Sequence, residues 1–146
     1  MPDDTGSAGM RIRREVLGDA HVDRAVADTT PFSAAFQDFI TRTAWGDVWA
    51  RPGLDRRTRS AITLAILTAL RAESEIALHI RAAIRNGLTR DEIAEVLLHS
   101  AVYAGVPAAN AAMAIASKTL ESIDDERTDK RTDDETDHVR TEEDDR

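Results

Sequence analysis

Residues 73–105 read ESEIALHIRAAIRNGLTRDEIAEVLLHSAVYAG, and the spacing of the apolar residues in this stretch decides the fold. Ile76, Ile80, Ala83 and Ile84 recur at three- and four-residue steps, so they share one face of a helix. Ile93, Val96 and Tyr103 do the same further on. Between the two runs stands Asn86-Gly87, where Gly87 suits the left-handed conformation that ends a helix. Thr89 and Glu92 then have the spacing of a capping box, in which each side chain satisfies a backbone N–H at the start of the next helix. The stretch therefore predicts two consecutive amphipathic helices.

Working outward, Asp55 is placed to cap RRTRSAITLAILTALRA (56–72), whose apolar residues cover nearly the whole circumference; this predicts a central buried helix. Thr30-Pro31 offers an N-cap followed by proline at the first helical position for PFSAAFQDFITRTAW (31–45), with Gly46 near its end. Asp19 suits the cap of HVDRAVAD (21–28). Pro107 opens an alanine-rich helix, PAANAAMAIASKTL (107–120). No period-2 run bounded by turn residues is present, so the expectation is all-α: a compact bundle of about six helices joined by short connections.

The chain carries a formal net charge of −8 over 146 residues. Residues 121–146 hold 13 Asp and Glu against 5 Lys and Arg, which accounts for all of it; the other 120 residues are neutral. With only Ile123 and Val139 as aliphatics, this tail cannot offset the entropy of ordering itself. The expected organisation is a helical domain over 1–120 and a disordered acidic tail over 121–146. A neutral body without a basic stripe argues against nucleic acid. The absence of any apolar run of about 20 residues, and of a signal-peptide layout at the N-terminus, argues against a membrane and for the cytoplasm.

There is no cysteine, which removes thiolate metal sites, cysteine nucleophiles and disulfide chemistry. No GxSxG turn or phosphate-cradling glycine loop occurs. What remains for chemistry is carboxylate, imidazole, guanidinium and hydroxyl. Taking Ile76 as the middle of its stripe, His79 falls about 60° to one side and Glu75 about 100°, one turn away and within hydrogen-bonding reach. A carboxylate there fixes the imidazole tautomer and raises its pKa. In the following helix Glu92, His99 and Tyr103 line one edge in the same way. If the two helices pack antiparallel, both histidines and the tyrosine converge on one cleft. Each histidine is also compatible with a satisfied structural role. Zinc or iron held by Glu75, His79 and His99 is the metal alternative, but no HExxH or close histidine pair supports it, and no metal is expected.

Three segments together, RREVLGDAHVDRA (13–25), WARPGLDRRTRSAITLAILTAL (49–70) and EIALHIRAAIRNGLTRDEIAEVLLHSAVYAGVPAAN (75–110), resemble the carboxymuconolactone decarboxylase family over roughly residues 10 to 120. The acidic tail has no counterpart in that pattern. The resemblance implies an alkylhydroperoxidase-like helical fold, assembly as a homo-oligomer (trimer or hexamer), and sites near subunit contacts. The family's peroxidase relatives bear a CxxC before the histidine; here Ala72 and Glu75 stand in those slots, which favours decarboxylation over peroxide reduction.

The implied reaction converts 4-carboxymuconolactone to the β-ketoadipate enol-lactone in protocatechuate catabolism. Loss of carbon dioxide pushes electrons through the ring double bond onto the lactone carbonyl, so the substrate is its own electron sink and no cofactor is required. The enzyme must supply a donor to the developing oxyanion, a cation for the spectator carboxylate and an acid for the α-carbon. His79, oriented by Glu75, suits the donor or acid role. Arg51, beside Trp49, suits the spectator carboxylate because its planar fork binds both oxygens. Arg59, His99, Tyr103 and His21 are further candidates for lining the substrate site, His21 as part of a polar N-terminal segment with Arg13, Arg14 and Arg24 that is expected to reach toward a neighbouring subunit's site. The alternatives are a decarboxylase or isomerase acting on a related carboxylated lactone or β-keto acid, and a non-catalytic helical interaction module.

Overall fold

The computed structural model describes the backbone of residues 4–144 and the side chains of residues 4–134. Among the described residues seven α-helices follow one another, α1 (Asp4–Leu17), α2 (Asp19–Ala27), α3 (Ala34–Ile40), α4 (Arg56–Ala69), α5 (Glu73–Arg85), α6 (Arg90–Ala104) and α7 (Val106–Asp144), with a π-helical segment, Thr41–Trp49, between α3 and α4. No strand occurs among the described residues, as expected. No helix among them is long and apolar enough to cross a membrane.

Two apolar clusters hold these helices. Leu64 of α4, Ile76, Ile80 and Ala83 of α5, Leu88 of the connection after it, Ile93 and Leu97 of α6, and Ala112 and Ala116 of α7 form the larger. Ile12, Val16 and Leu17 of α1, Val22 of α2 and Trp45 of the π-helical segment form the smaller, closed by Ala82 of α5. Because α5 contributes to both, it is the central element. The helix expected there, α4, is not: only Ser60, Leu64 and Thr68 are buried on it, and Ile66 on its other side is 50% exposed. Apolar residues all round a helix bury it only if every face has a partner, and within this chain α4 has partners on one face.

The capping signals around α4, α5 and α6 operate as read. Asp55 accepts from the Thr58 N–H at 2.7 Å, and Thr89 and Glu92 form a reciprocal capping box. Gly87 sits at φ 98°, a conformation that a side chain would strain. Three local expectations shift. Asp19 does not cap α2 but pairs with Arg14, 3.2 Å away. The start at Pro31 is delayed, since Pro31–Ser33 forms a turn in which the Ser33 hydroxyl accepts the Thr30 N–H at 3.0 Å. Gly46 does not end its helix, because the backbone widens into the π-helical segment and continues to Trp49.

That widening has a local cause. The hydroxyls of Thr41 and Thr43 donate to the carbonyls of Gln37 and Phe39, four residues back, at 2.9 and 2.6 Å. Such bonds compete with the main-chain ladder and loosen it. The segment packs along α1, and the crossing is made by glycine: a Cβ on Gly9 would collide with the Thr41 carbonyl, and one on Gly46 with the Thr5 carbonyl.

The boundary expected at residue 120 is not a break in the backbone. Helix α7 carries on, Ile123 is 9% exposed, Arg81 donates to Ser122 and Glu126, and Arg90 donates to Asp124. Ion pairing to Arg81 and Arg90, absent from a count of aliphatics, anchors these turns; residues 124–134 are exposed. Residues 1–3 and 145–146, and the side chains of the rest of the tail, lie outside the described residues.

Candidate active site

A cleft of about 590 Å³ opens where α1, α2, α3, the π-helical segment and α5 meet, a volume suited to a small-molecule ligand. Glu75 and His79 face it from α5, His21 from α2, Arg13 from α1, Phe36 and Gln37 from α3, and Trp45 and Trp49 from the π-helical segment. The two tryptophan rings lie 5.2 Å apart, tilted by 34°. They supply apolar surface to a cleft whose other lining includes groups that carry charge or exchange protons.

Of the expected site residues, His79, Glu75, His21 and Trp49 are brought together here. Arg51 is not. It lies exposed in the loop after the π-helical segment, where its carbonyl accepts from Arg59 at 3.1 Å. Arg59 thus ties that loop to α4 rather than reaching the cleft. His99 and Tyr103 also lie elsewhere. Their rings stack 5.1 Å apart on α6, Tyr103 is 80% exposed, and His99 lines a separate groove of about 530 Å³ between α4 and α6. Helices α5 and α6 are consecutive, but their polar edges open on different sides. The trio Glu75, His79 and His99 therefore does not assemble, and no three His, Asp or Glu side chains gather to hold a metal ion among the described residues.

The electrostatics of His79 differ from expectation. Burial pushes its pKa below the ordinary imidazole value, the nearby Glu75 pulls it up, His21 pushes it down, and burial dominates. The Glu75 side chain is exposed and makes no hydrogen bond to His79. His21 is lowered too, first by burial and then by the Arg13 and Arg24 cations. Both imidazoles are accordingly neutral near pH 7, each with one N–H to donate and one ring nitrogen to accept. A neutral imidazole in an apolar setting suits hydrogen-bond donation to an oxygen that gains charge during reaction.

Phe36, Gln37 and Trp45 were not expected in the site, and Arg13, expected only within a polar N-terminal segment reaching toward a neighbouring subunit's site, lines the cleft of its own chain. Arg13 is 6% exposed, donating to the Thr41 hydroxyl at 3.2 Å and to the Gln37 side-chain oxygen at 3.0 Å. The signal was present: Gly9, Ile12 and Val16 mark a buried helical stripe, and Arg13 interrupts it with a charge.

The chain matches the family model described as "Carboxymuconolactone decarboxylase family" over residues 34–118. It is 49% identical over 115 residues to the 4-carboxymuconolactone decarboxylase of Acinetobacter baylyi, covering 79% of this chain and 86% of that protein. It is 45% identical over 123 residues to the nitrosuccinic acid decarboxylase of Metarhizium robertsii, covering 84% and 86%. A 4-carboxymuconolactone decarboxylase sequence of Pseudomonas putida is 58% identical over 40 residues, 27% of this chain and 83% of that sequence.

Proposed function

The chain belongs to the carboxymuconolactone decarboxylase family, and on that premise we propose that it is a carboxy-lyase that converts 4-carboxymuconolactone to the β-ketoadipate enol-lactone in protocatechuate catabolism, without a cofactor. The observation that carries this is the identity of 49% across most of both chains to a relative named for that reaction. The cleft is consistent with the chemistry. As carbon dioxide leaves the γ-carbon, its bonding pair passes through the ring double bond and the lactone carbonyl becomes an enolate. His79 donates its N–H to that oxygen, a contribution of about 3 kcal/mol for a preorganised donor. The enolate then takes a solvent-derived proton at the α-carbon, which replaces the lost carbon dioxide and completes the enol-lactone.

Glu75 biases His79 without touching it. The tryptophan wall excludes water from the departing carboxylate, whose charge is lost in the reaction and which gains from poor solvation. A second reading, decarboxylation of a related acid, is favoured by the relative named nitrosuccinic acid decarboxylase. A nitro group beside a carboxylate-bearing carbon is likewise a sink within the substrate. We further place the protein in the cytoplasm as a homo-oligomer, trimer or hexamer; the exposed Leu98, Val102, Tyr103 and Val106 on and after α6 support burial against another copy.

The test is direct. Purified protein, with chelator and no added cofactor, is mixed with 4-carboxymuconolactone while ultraviolet absorbance and carbon dioxide are followed. Loss of the conjugated chromophore with stoichiometric gas is expected. Silence in both signals, with turnover of nitrosuccinate instead, would transfer the assignment to the second reading.

A further inference from the structure

We propose that Arg13 is the carboxylate anchor of the cleft: it binds the substrate carboxylate that is not lost, and leaves the departing one to the apolar side walled by Trp45 and Trp49. The inference rests on the reading above only in taking the substrate to be a dicarboxylate. Arg13 and His21 both precede the segment that the family model matches.

Arg13 is nearly completely buried, yet no carboxylate lies within ion-pair distance of it among the described residues; its partners are a hydroxyl and an amide oxygen, both neutral. Its Nε is buried without any acceptor. The neighbouring Arg14 adds repulsion, and burial itself holds the Arg13 pKa below the usual guanidinium range. A buried cation without a counter-charge is costly, and the chain keeps one where an aliphatic residue would continue the stripe of Ile12 and Val16.

The surroundings prepare an anion site. Arg13 lines the cleft that holds His79, so an anion bound there shares one cavity with the proposed donor. Gln37 lines it too, and since its oxygen accepts from Arg13, its amide N–H groups are left to donate. Thr41 and Gln37 steer two nitrogens of one planar guanidinium, the geometry for two-point recognition of a carboxylate. The choice between the two substrate carboxylates follows from charge. A cation on the departing carboxylate would stabilise the ground state more than the transition state, whereas on the spectator it binds both equally.

The test uses the full chain, its Arg13→Met and Arg13→Lys variants, and as probe 4-carboxymuconolactone with its ring double bond reduced, which has no electron sink and cannot react. Met keeps an unbranched apolar stem and removes the charge. Its variant is expected to be as stable to urea as the wild type or more so, while the Kd for the reduced lactone rises at least about 30-fold. Lys should raise it about 5- to 10-fold, because charge is kept and the fork is lost. With the true substrate, KM should rise in parallel and kcat should stay within about threefold.

An Arg13→Met protein that loses stability but binds the probe like wild type would make Arg13 a structural tie and overturn the proposal. Should that variant not fold, an unchanged Kd in Arg13→Lys overturns it equally. Wild-type protein that fails to bind the probe also overturns it. Binding that depends on Arg13 without turnover of the true lactone would uphold the anchor and defeat the proposed reaction instead.

Discussion

At the residue scale, the proposed chemistry rests on His79 being a neutral donor. Replacing it with Gln should lower kcat at least about tenfold with helix content unchanged, since a donor acting mainly on the transition state is removed. Glu75→Gln should cost less, because that carboxylate acts at a distance; circular dichroism and steady-state rates separate both effects from unfolding. The depressed pKa has a second consequence. The unfolded chain binds protons to His79 more readily than the folded one does, so its contribution to stability is complete above the ordinary imidazole value, about 6.5, and is lost as pH falls below it. Urea midpoints between pH 8 and pH 5 should decline, and less steeply in His79→Gln; this window lies above the titration of the paired carboxylates Glu15 and Glu126, which are themselves lowered by Arg56 and Arg81. An unchanged slope would show that His79 is not desolvated.

At the scale of elements, the π-helical segment is what builds the cleft. It turns Trp45 inward, brings Trp49 beside it and presents Thr41 to Arg13, and it depends on close approach to α1 through Gly9 and Gly46. Gly9→Ala should therefore destabilise the fold by about 1–3 kcal/mol, because a methyl there meets backbone, which cannot yield as a side chain can. Thermal unfolding measures it, and an equal or raised midpoint would refute the close crossing. Little of this element was legible. Thr41 and Thr43 favour the back-bonding that widens a helix, but threonine stands in many helices that stay α-helical. Helices α5 and α6, with a sharp apolar stripe, a capping box and a glycine stop, were legible nearly to the residue.

For the whole molecule, cutting α7 after residue 128 should leave activity and stability intact, whereas cutting after 120 should cost about 1–3 kcal/mol, mostly the burial of Ile123, since half-exposed ion pairs add little. Equal stability of the two truncations would put the domain edge back at 120. Periodicity, caps and the absence of cysteine determined by themselves that the chain is helical, where α5 and α6 begin and end, and that Glu75 and His79 share a helix edge, because these follow from contacts within a few residues. The resemblance over residues 10 to 120 added the family. Only the tertiary structure decided that α5 and not α4 is central, that His21 and Arg13 join His79 while Arg51, Arg59, His99 and Tyr103 do not, and that burial outweighs Glu75 in setting the His79 pKa. Those outcomes depend on which face of each helix meets a partner distant in sequence, and on the desolvation that the meeting imposes, neither of which a local pattern encodes.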